Sequence, residues 1–212
     1  MLTTLLYAFL ALDQTIAHLA ALYGPWFYAI LALVIFAETG LVVFPFLPGD
    51  SVLFLAGTVV AAAGINVHVL AVVLAVAAIA GDSVNYAIGR YIGPKVFERP
   101  DSRWLRKEHL ARTQRFYDRY GGVTIIIGRF VPIIRTFAPF LAGVASMPYS
   151  RFLAYNVIGG VMWIASLLYA GYFFGNIPWV KANLSLIVIA IVVVSLIPAV
   201  VTFARERGRP RG

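Results

Sequence analysis

Long charge-free apolar runs organise this chain, and polar residues fall between them. Residues 14–37, 51–81, 152–180 and 182–204 carry no Asp, Glu, Lys or Arg. The apolar stretch between Arg119 and Arg151 is interrupted by charge only at Arg129 and Arg135. A bilayer's hydrocarbon is crossed by about 20 apolar residues in a helix, so runs of this length predict an all-α integral membrane protein. The expected elements are an N-terminal apolar helix over 1–22, a hairpin over 24–60, a span over 65–89 and a basic amphipathic segment over 90–120. A second hairpin over 121–147, a span over 151–175, a C-terminal transmembrane helix over 183–204 and a basic tail over 205–212 follow. Residues 1–22 lack a basic leading region and contain Asp13, Gln14 and His18. They read as a retained helix, spanning or lying at the interface, and not as a cleaved signal peptide.

Proline, glycine and parity turn two of these segments into hairpins. Thirteen charged residues, nine of them basic, fall within 90–119, and Arg205, Arg207, Arg209 and Arg211 close the chain. The positive-inside rule puts both clusters on the cytoplasmic side. Three apolar segments lie between them, yet two cytoplasmic ends require an even number of crossings. The segment 121–147 is expected to enter and turn back, because Pro132 and Pro139 remove helix hydrogen bonds there. Non-helical backbone at membrane depth survives only when buried in protein or lining a wet cavity. By the same count 24–60 begins and ends on the opposite side, broken at Pro45, Pro48 and Gly49. The expected core over 24–176 is an inverted repeat of two opposed re-entrant helical hairpins plus transmembrane helices. Phe54-Leu55-Ala56-Gly57 recurs as Phe140-Leu141-Ala142-Gly143 at an offset of 86, and Tyr86-Ala87-Ile88-Gly89 as Tyr172-Phe173-Phe174-Gly175 at the same offset. Transporters place their sites at such repeat interfaces, on broken helices near the midplane.

Composition narrows the function. Of 212 residues 61% are hydrophobic and 12% charged, which leaves no room for a soluble domain of ordinary size. The net charge of +8 lies in clusters flanking spans, where it sets topology and attracts anionic lipid; no nucleic-acid motif accompanies it. With no cysteine there is no thiol nucleophile and no Cys-based metal site. His18, His68 and His109 are isolated, without metal-ligand spacing, and no cofactor motif is present. The chain has no HExxH, GxSxG or grouped histidine, so a transport role is expected and an enzymatic one is not.

Four charges at bilayer depth carry the candidate chemistry. Each costs at least about 2.5–3.5 kcal/mol to insert, so each implies function. Glu38 and Asp50 flank the turn at Phe44–Gly49. Two close carboxylates in low dielectric cannot easily both ionise, which suits proton carriers. The alternative is structural: Asp50 capping the helix that follows, and Glu38 tied to an arginine. Arg129 and Arg135 lie three residues either side of Pro132. The break lets two permanently charged, planar guanidinium groups converge on a phosphate; the alternative is that they only neutralise the acids. Asp82 and Asn85 either line the same cavity or sit at the membrane interface, the latter preferred. Asn156 with Gly159, Gly160 and Trp163 reads first as close helix packing, and more weakly as cavity lining.

These residues resemble the DedA family of bacterial membrane proteins, which shares a domain with SNARE-associated Golgi-type (VTT-domain) proteins. The resemblance rests on Glu38-Thr39-Gly40, Phe46-Leu47-Pro48-Gly49-Asp50, Gly81-Asp82, Tyr86 to Arg90, Tyr120-Gly121-Gly122 and Gly128 to Arg135. Pro139, Ala142-Gly143, Met147, Phe152, Asn156 and Gly159-Gly160 complete it, over roughly residues 24–176. It implies opposed re-entrant hairpins and a role in moving lipids across the cytoplasmic membrane, including undecaprenyl phosphate, with some members using the proton-motive force. It also implies that Glu38, Asp50, Arg129 and Arg135 match positions the family needs. The expected function is therefore a lipid flippase or scramblase for an anionic phospholipid or undecaprenyl phosphate. Arg129 and Arg135 bind the phosphate, Glu38 and Asp50 exchange protons, and a homo-oligomer is open. The alternative is a proton-coupled transporter of a soluble ion or small solute.

Overall fold

A computed structural model describes residues 26–40, 49–97, 122–183, 186–187 and 190. The expected helix over 1–22, the turn around Pro45 and Pro48, residues 98–120 of the basic segment, most of the C-terminal span and the tail lie outside the described residues. Seven helices follow in order: α1 Trp26–Gly40, α2 Gly49–Ala63, α3 Val67–Phe97, α4 Val123–Gly128, α5 Pro132–Val144, α6 Tyr149–Phe174 and α7 Pro178–Ala182. Among the described residues every regular element is a helix.

Among the described residues two helices have the length of a membrane span. The apolar parts of α3 and α6 cover 27 and 26 residues, about 40 Å each at 1.5 Å per residue, against a hydrocarbon thickness of about 30 Å. The described parts of α1 and α2, of 15 residues each, cover about 22 Å. On α3 the buried stripe runs Leu70, Leu74, Ala78, Asp82, Asn85, Tyr86, while Val69, Val72, Val76, Val84 and Tyr91 are exposed. The exposed face is the more apolar one, the reverse of a soluble amphipathic helix, and it is suited to lipid. On α6 Val157, Ile158, Val161 and Met162 are exposed in the same way, with Asn156, Trp163 and Leu168 inside. The helix over the expected span 65–89 does not stop there: it continues past Arg90 to Phe97.

The described helices form two compact units. One draws on residues 26–32, 49–74 and 164 onward, the other on 33–40, 75–97 and 122–163. In the first, α2 crosses the end of α6 backbone to backbone. A Cβ on Gly57 would strike the Leu168 carbonyl and lie 2.8 Å from the Tyr172 nitrogen, while Gly171 faces the backbone of Phe54 and Gly175 faces Thr58. The Thr58 hydroxyl donates to the Gly171 carbonyl at 3.3 Å. In the second unit α5 crosses α3 with the same contacts. A Cβ on Gly143 would strike the Tyr86 carbonyl and lie 2.8 Å from the Arg90 nitrogen, Gly89 faces the backbone of Phe140, and Gly93 faces Val144.

This shared crossing corrects the repeat read from sequence. The contacts relate α2 to α5 by 86 residues, as expected, but α3 to α6 by 82: the counterpart of Gly89 is Gly171, not Gly175. The difference of four is about one helical turn, and it sits at the helix ends. Both helices close with a left-handed residue and a back-bonded amide. Gly64 (φ +65°) ends α2, with the Ile65 amide donating to the Val60 carbonyl at 3.1 Å. Ser146 (φ +55°) ends α5, with the Met147 amide donating to the Ala142 carbonyl at 3.0 Å. From Thr58 to Gly64 is six residues and from its counterpart Val144 to Ser146 is two, so α2 carries one extra turn. The second unit is filled by Tyr86, Ile125, Ala142, Ala145, Met147 and Phe152, with Tyr86 stacked on Phe152.

Candidate functional site: two arginines on one indole

The charged cluster lies in the second unit, where glycines let helices touch. At the end of α1 a Cβ on Gly40 would sit 3.3 Å from the Cα of Gly81 on α3, and one on Gly81 would sit 2.8 Å from the Phe36 carbonyl. This backbone contact brings the last turn of α1, with Glu38 and Thr39, against the turn of α3 that bears Asp82 and Asn85. Asn85, fully buried, donates its Nδ2 hydrogens to the carbonyls of Thr39 at 3.2 Å and Thr136 at 2.8 Å. The Thr39 carbonyl is among the last four of α1, which have no donor within the helix. One amide therefore satisfies a helix end and ties α1, α3 and α5 together.

The break between α4 and α5 sets the arginines. Val131 is extended (φ −121°, ψ 108°), as the residue before a proline prefers to be, and Pro132 opens α5 where its missing N–H costs nothing. The amides of Phe130 and Val131 bond three residues back, to Ile127 and Gly128, at 3.1 and 3.0 Å. Arg129 thus leaves the end of α4 while Arg135 leaves the first turn of α5. Gly128 allows α4 to fold onto α5, since a Cβ there would lie 2.7 Å from the Ile134 side chain.

Both guanidinium groups rest on Trp163 of α6, with Cζ to ring-centroid distances of 5.8 Å for Arg129 and 4.6 Å for Arg135. Arg135 Nη2 donates to Glu38 Oε1 at 2.5 Å. Arg129 Nη2 donates to Asp82 Oδ2 and to Asn156 Oδ1. Asn156 Nδ2 donates in turn to the Ile79 carbonyl at 3.1 Å, which fixes the amide with its oxygen towards Arg129. Gly159 and Gly160 make room: a Cβ at either would lie 3.5 Å from atoms of the Arg129 side chain. Arg129 is 2% exposed, Arg135 6%, Glu38 4% and Asp82 1%. Two cations and two carboxylates share a buried site, where removing one partner of a pair costs about 3–5 kcal/mol. Arg129 Nε and Nη1 and Asp82 Oδ1, all buried, have no hydrogen-bond partner among the described residues. A buried polar group without a partner is costly, and three unused N–H donors on one guanidinium suit an anion.

The expected site residues divide accordingly. Glu38, Arg129, Arg135, Asp82, Asn85 and Asn156 come together in this unit. Asp50 belongs to the other unit, partly exposed in the first turn of α2, where its charge complements the helix dipole. The sequence reading placed Asp82 and Asn85 by preference at the membrane interface; both are buried, one as the ion-pair partner of Arg129 and the other as the three-helix clasp. From sequence Asn156 and Trp163 read first as packing residues, yet one bonds Arg129 and the other underlies both cations. The signal available was position. Ala78, Asp82, Asn85 and Gly89 share one stripe of α3, and Asn156, Gly159, Gly160 and Trp163 share one of α6.

Comparison with known proteins gives the family. The VTT domain family model matches residues 47–173. The chain is 52% identical over 200 residues to Protein DedA of Escherichia coli, covering 93% of this chain and 91% of that protein. It is 47% identical to an uncharacterized membrane protein of Mycobacterium tuberculosis, covering 82% and 78% of the two chains. It is 34% identical to the inner membrane protein YqjA of E. coli, covering 84% and 80%. No solved structure matches significantly. On these grounds the chain belongs to the DedA family of VTT-domain membrane proteins.

Proposed function

We propose that this protein moves lipids with a phosphate headgroup, an anionic phospholipid or undecaprenyl phosphate, across the bacterial cytoplasmic membrane as a flippase or scramblase. The observation that carries the reading is the pair of buried guanidinium groups on Trp163, with Nε and Nη1 of Arg129 unused by the protein. A buried charge with spare donors is what a headgroup phosphate needs in place of water. Glu38, bonded to Arg135, is the acid that releases it when a proton arrives; Asp50 serves as the second proton site. The role is transport, with no covalent chemistry. Two opposed re-entrant hairpins expose the site alternately: α4 and α5 are broken at Val131, and the α2–α6 and α3–α5 crossings repeat. The C-terminus is cytoplasmic, from the arginines that flank the last apolar run.

The test is headgroup translocation in liposomes holding the purified protein, with fluorescent phosphatidylglycerol and with a polyprenyl phosphate. Wild-type protein should accelerate transfer of at least one, and Arg129→Ala with Arg135→Ala should abolish it. Unaltered transfer by the double variant would sink the phosphate role. Solute-dependent proton flux without lipid transfer would favour a transporter of soluble ions instead.

A further inference from the structure

We propose that Asp82 is an exchangeable counter-ion which holds the phosphate place on Arg129 and takes up one proton when a phosphate displaces it. The proposal rests on the phosphate reading above and adds a residue to it. Arg129 Nη2 has two N–H groups, and one goes to each of Asp82 and Asn156. The two contacts differ in kind. Asn156 is anchored by its own bond to the Ile79 carbonyl, whereas the second oxygen of Asp82, Oδ1, has no hydrogen-bond partner among the described residues. Asp82 is thus held through one oxygen only, while Asn156 is held at both ends of its amide.

Charge makes the consequence specific. Among the described residues the charged groups of this cluster, besides Asp82, are Arg129 from the α4–α5 break and, across Trp163, Arg135 from α5 with Glu38 from α1; α6 contributes the neutral Asn156 and Trp163, and α3 the neutral Asn85. Two cations already face two carboxylates, so an incoming phosphate brings an uncompensated negative charge into a site 1–6% exposed. Burying such a charge costs more than neutralising a carboxylate. Asp82 therefore leaves Arg129 as the neutral acid: its carboxylate gains a proton from the aqueous side, Arg129 keeps its own, and the phosphate oxygens take the freed donor with Nε and Nη1. Loss of the phosphate reverses the exchange. Each phosphate bound is thereby accompanied by one proton at a site distinct from Glu38 and Asp50.

The experiment is calorimetric binding of dodecyl phosphate, and separately inorganic phosphate, to the purified full chain in detergent. Titrations run from pH 6 to pH 8 in buffers of different ionisation enthalpy, which gives the protons taken up on binding. Wild-type protein should take up about one proton more than Asp82→Asn, and the probe's own titration cancels in that difference. Where Asp82 is ionised, the wild-type Kd should rise relative to the variant's by about tenfold per pH unit. Asp82→Asn should bind at least as tightly as wild type at pH 8, and Asp82→Glu should restore the proton uptake. Equal uptake and equal pH dependence in wild type and Asp82→Asn would overturn the proposal and leave the phosphate reading standing. A wild type that binds with no uptake beyond the probe's own titration overturns it without any variant. No binding of either probe by folded wild-type protein overturns the phosphate reading and this proposal together. Binding of dodecyl phosphate alone assigns the site to lipid headgroups; equal binding of inorganic phosphate assigns it to free anion, with the counter-ion role intact in both cases.

Discussion

Replacing Gly57 or Gly143 with alanine should loosen the two helix crossings to the same extent. At each position the new Cβ would overlap a carbonyl oxygen, of Leu168 or Tyr86, and lie 2.8 Å from an amide nitrogen, of Tyr172 or Arg90. The obstacles are backbone atoms of a neighbouring helix, so no rotamer change relieves them and the helices must separate. Overpacking of this kind costs about 1–3 kcal/mol, and lost Cα–H···O contacts add about 0.5–1 kcal/mol each. Alanine returns up to about 1 kcal/mol through its higher helix propensity. The net is about 1–3 kcal/mol, or about 2–12 °C in midpoint for a chain of this size. Thermal unfolding of the purified protein in detergent, followed by size-exclusion fluorescence, measures it. The equivalence of the two crossings requires similar losses for Gly57→Ala and Gly143→Ala. An unchanged or raised midpoint for both, or a loss at only one, would refute the packing argument.

Ser146→Gly should raise the midpoint by a few degrees in the same assay, since Ser146 holds φ +55° where Gly64 serves in the other crossing, and relief of a left-handed conformation is worth about 1 kcal/mol. Asn85→Leu should destabilise by about 1–3 kcal/mol, because the carbonyl of Thr39 loses its donor with no loss of side-chain volume; a neutral outcome would mean that water replaces the amide. Arg129→Lys should lower lipid transfer at least tenfold in liposomes, since an ammonium bonded to Asp82 and Asn156 keeps one donor where Arg129 keeps the three of Nε and Nη1 for a phosphate. Wild-type transfer by that variant would show that charge alone suffices.

The apolar runs by themselves determined the membrane class, because about 20 consecutive residues without charge have one economical environment. They also picked out Arg129, Arg135 and Glu38, whose cost at bilayer depth makes them visible in a single sequence. The break at Pro132 was legible for the same local reason: a missing N–H and a restricted preceding residue act wherever the chain folds. Which acid meets which arginine was not legible. Asp82 and Arg129 are 47 residues apart, and their meeting depends on the close backbone approach of Gly40 to Gly81 and on the space left by Gly159 and Gly160. Trp163 looked like packing because an indole's apolar body and its affinity for cations use the same face. The true register of the repeat was hidden too, since a whole extra turn leaves the apolar pattern of a helix nearly unchanged. Contacts between distant residues decided these points, and only the tertiary structure supplies them.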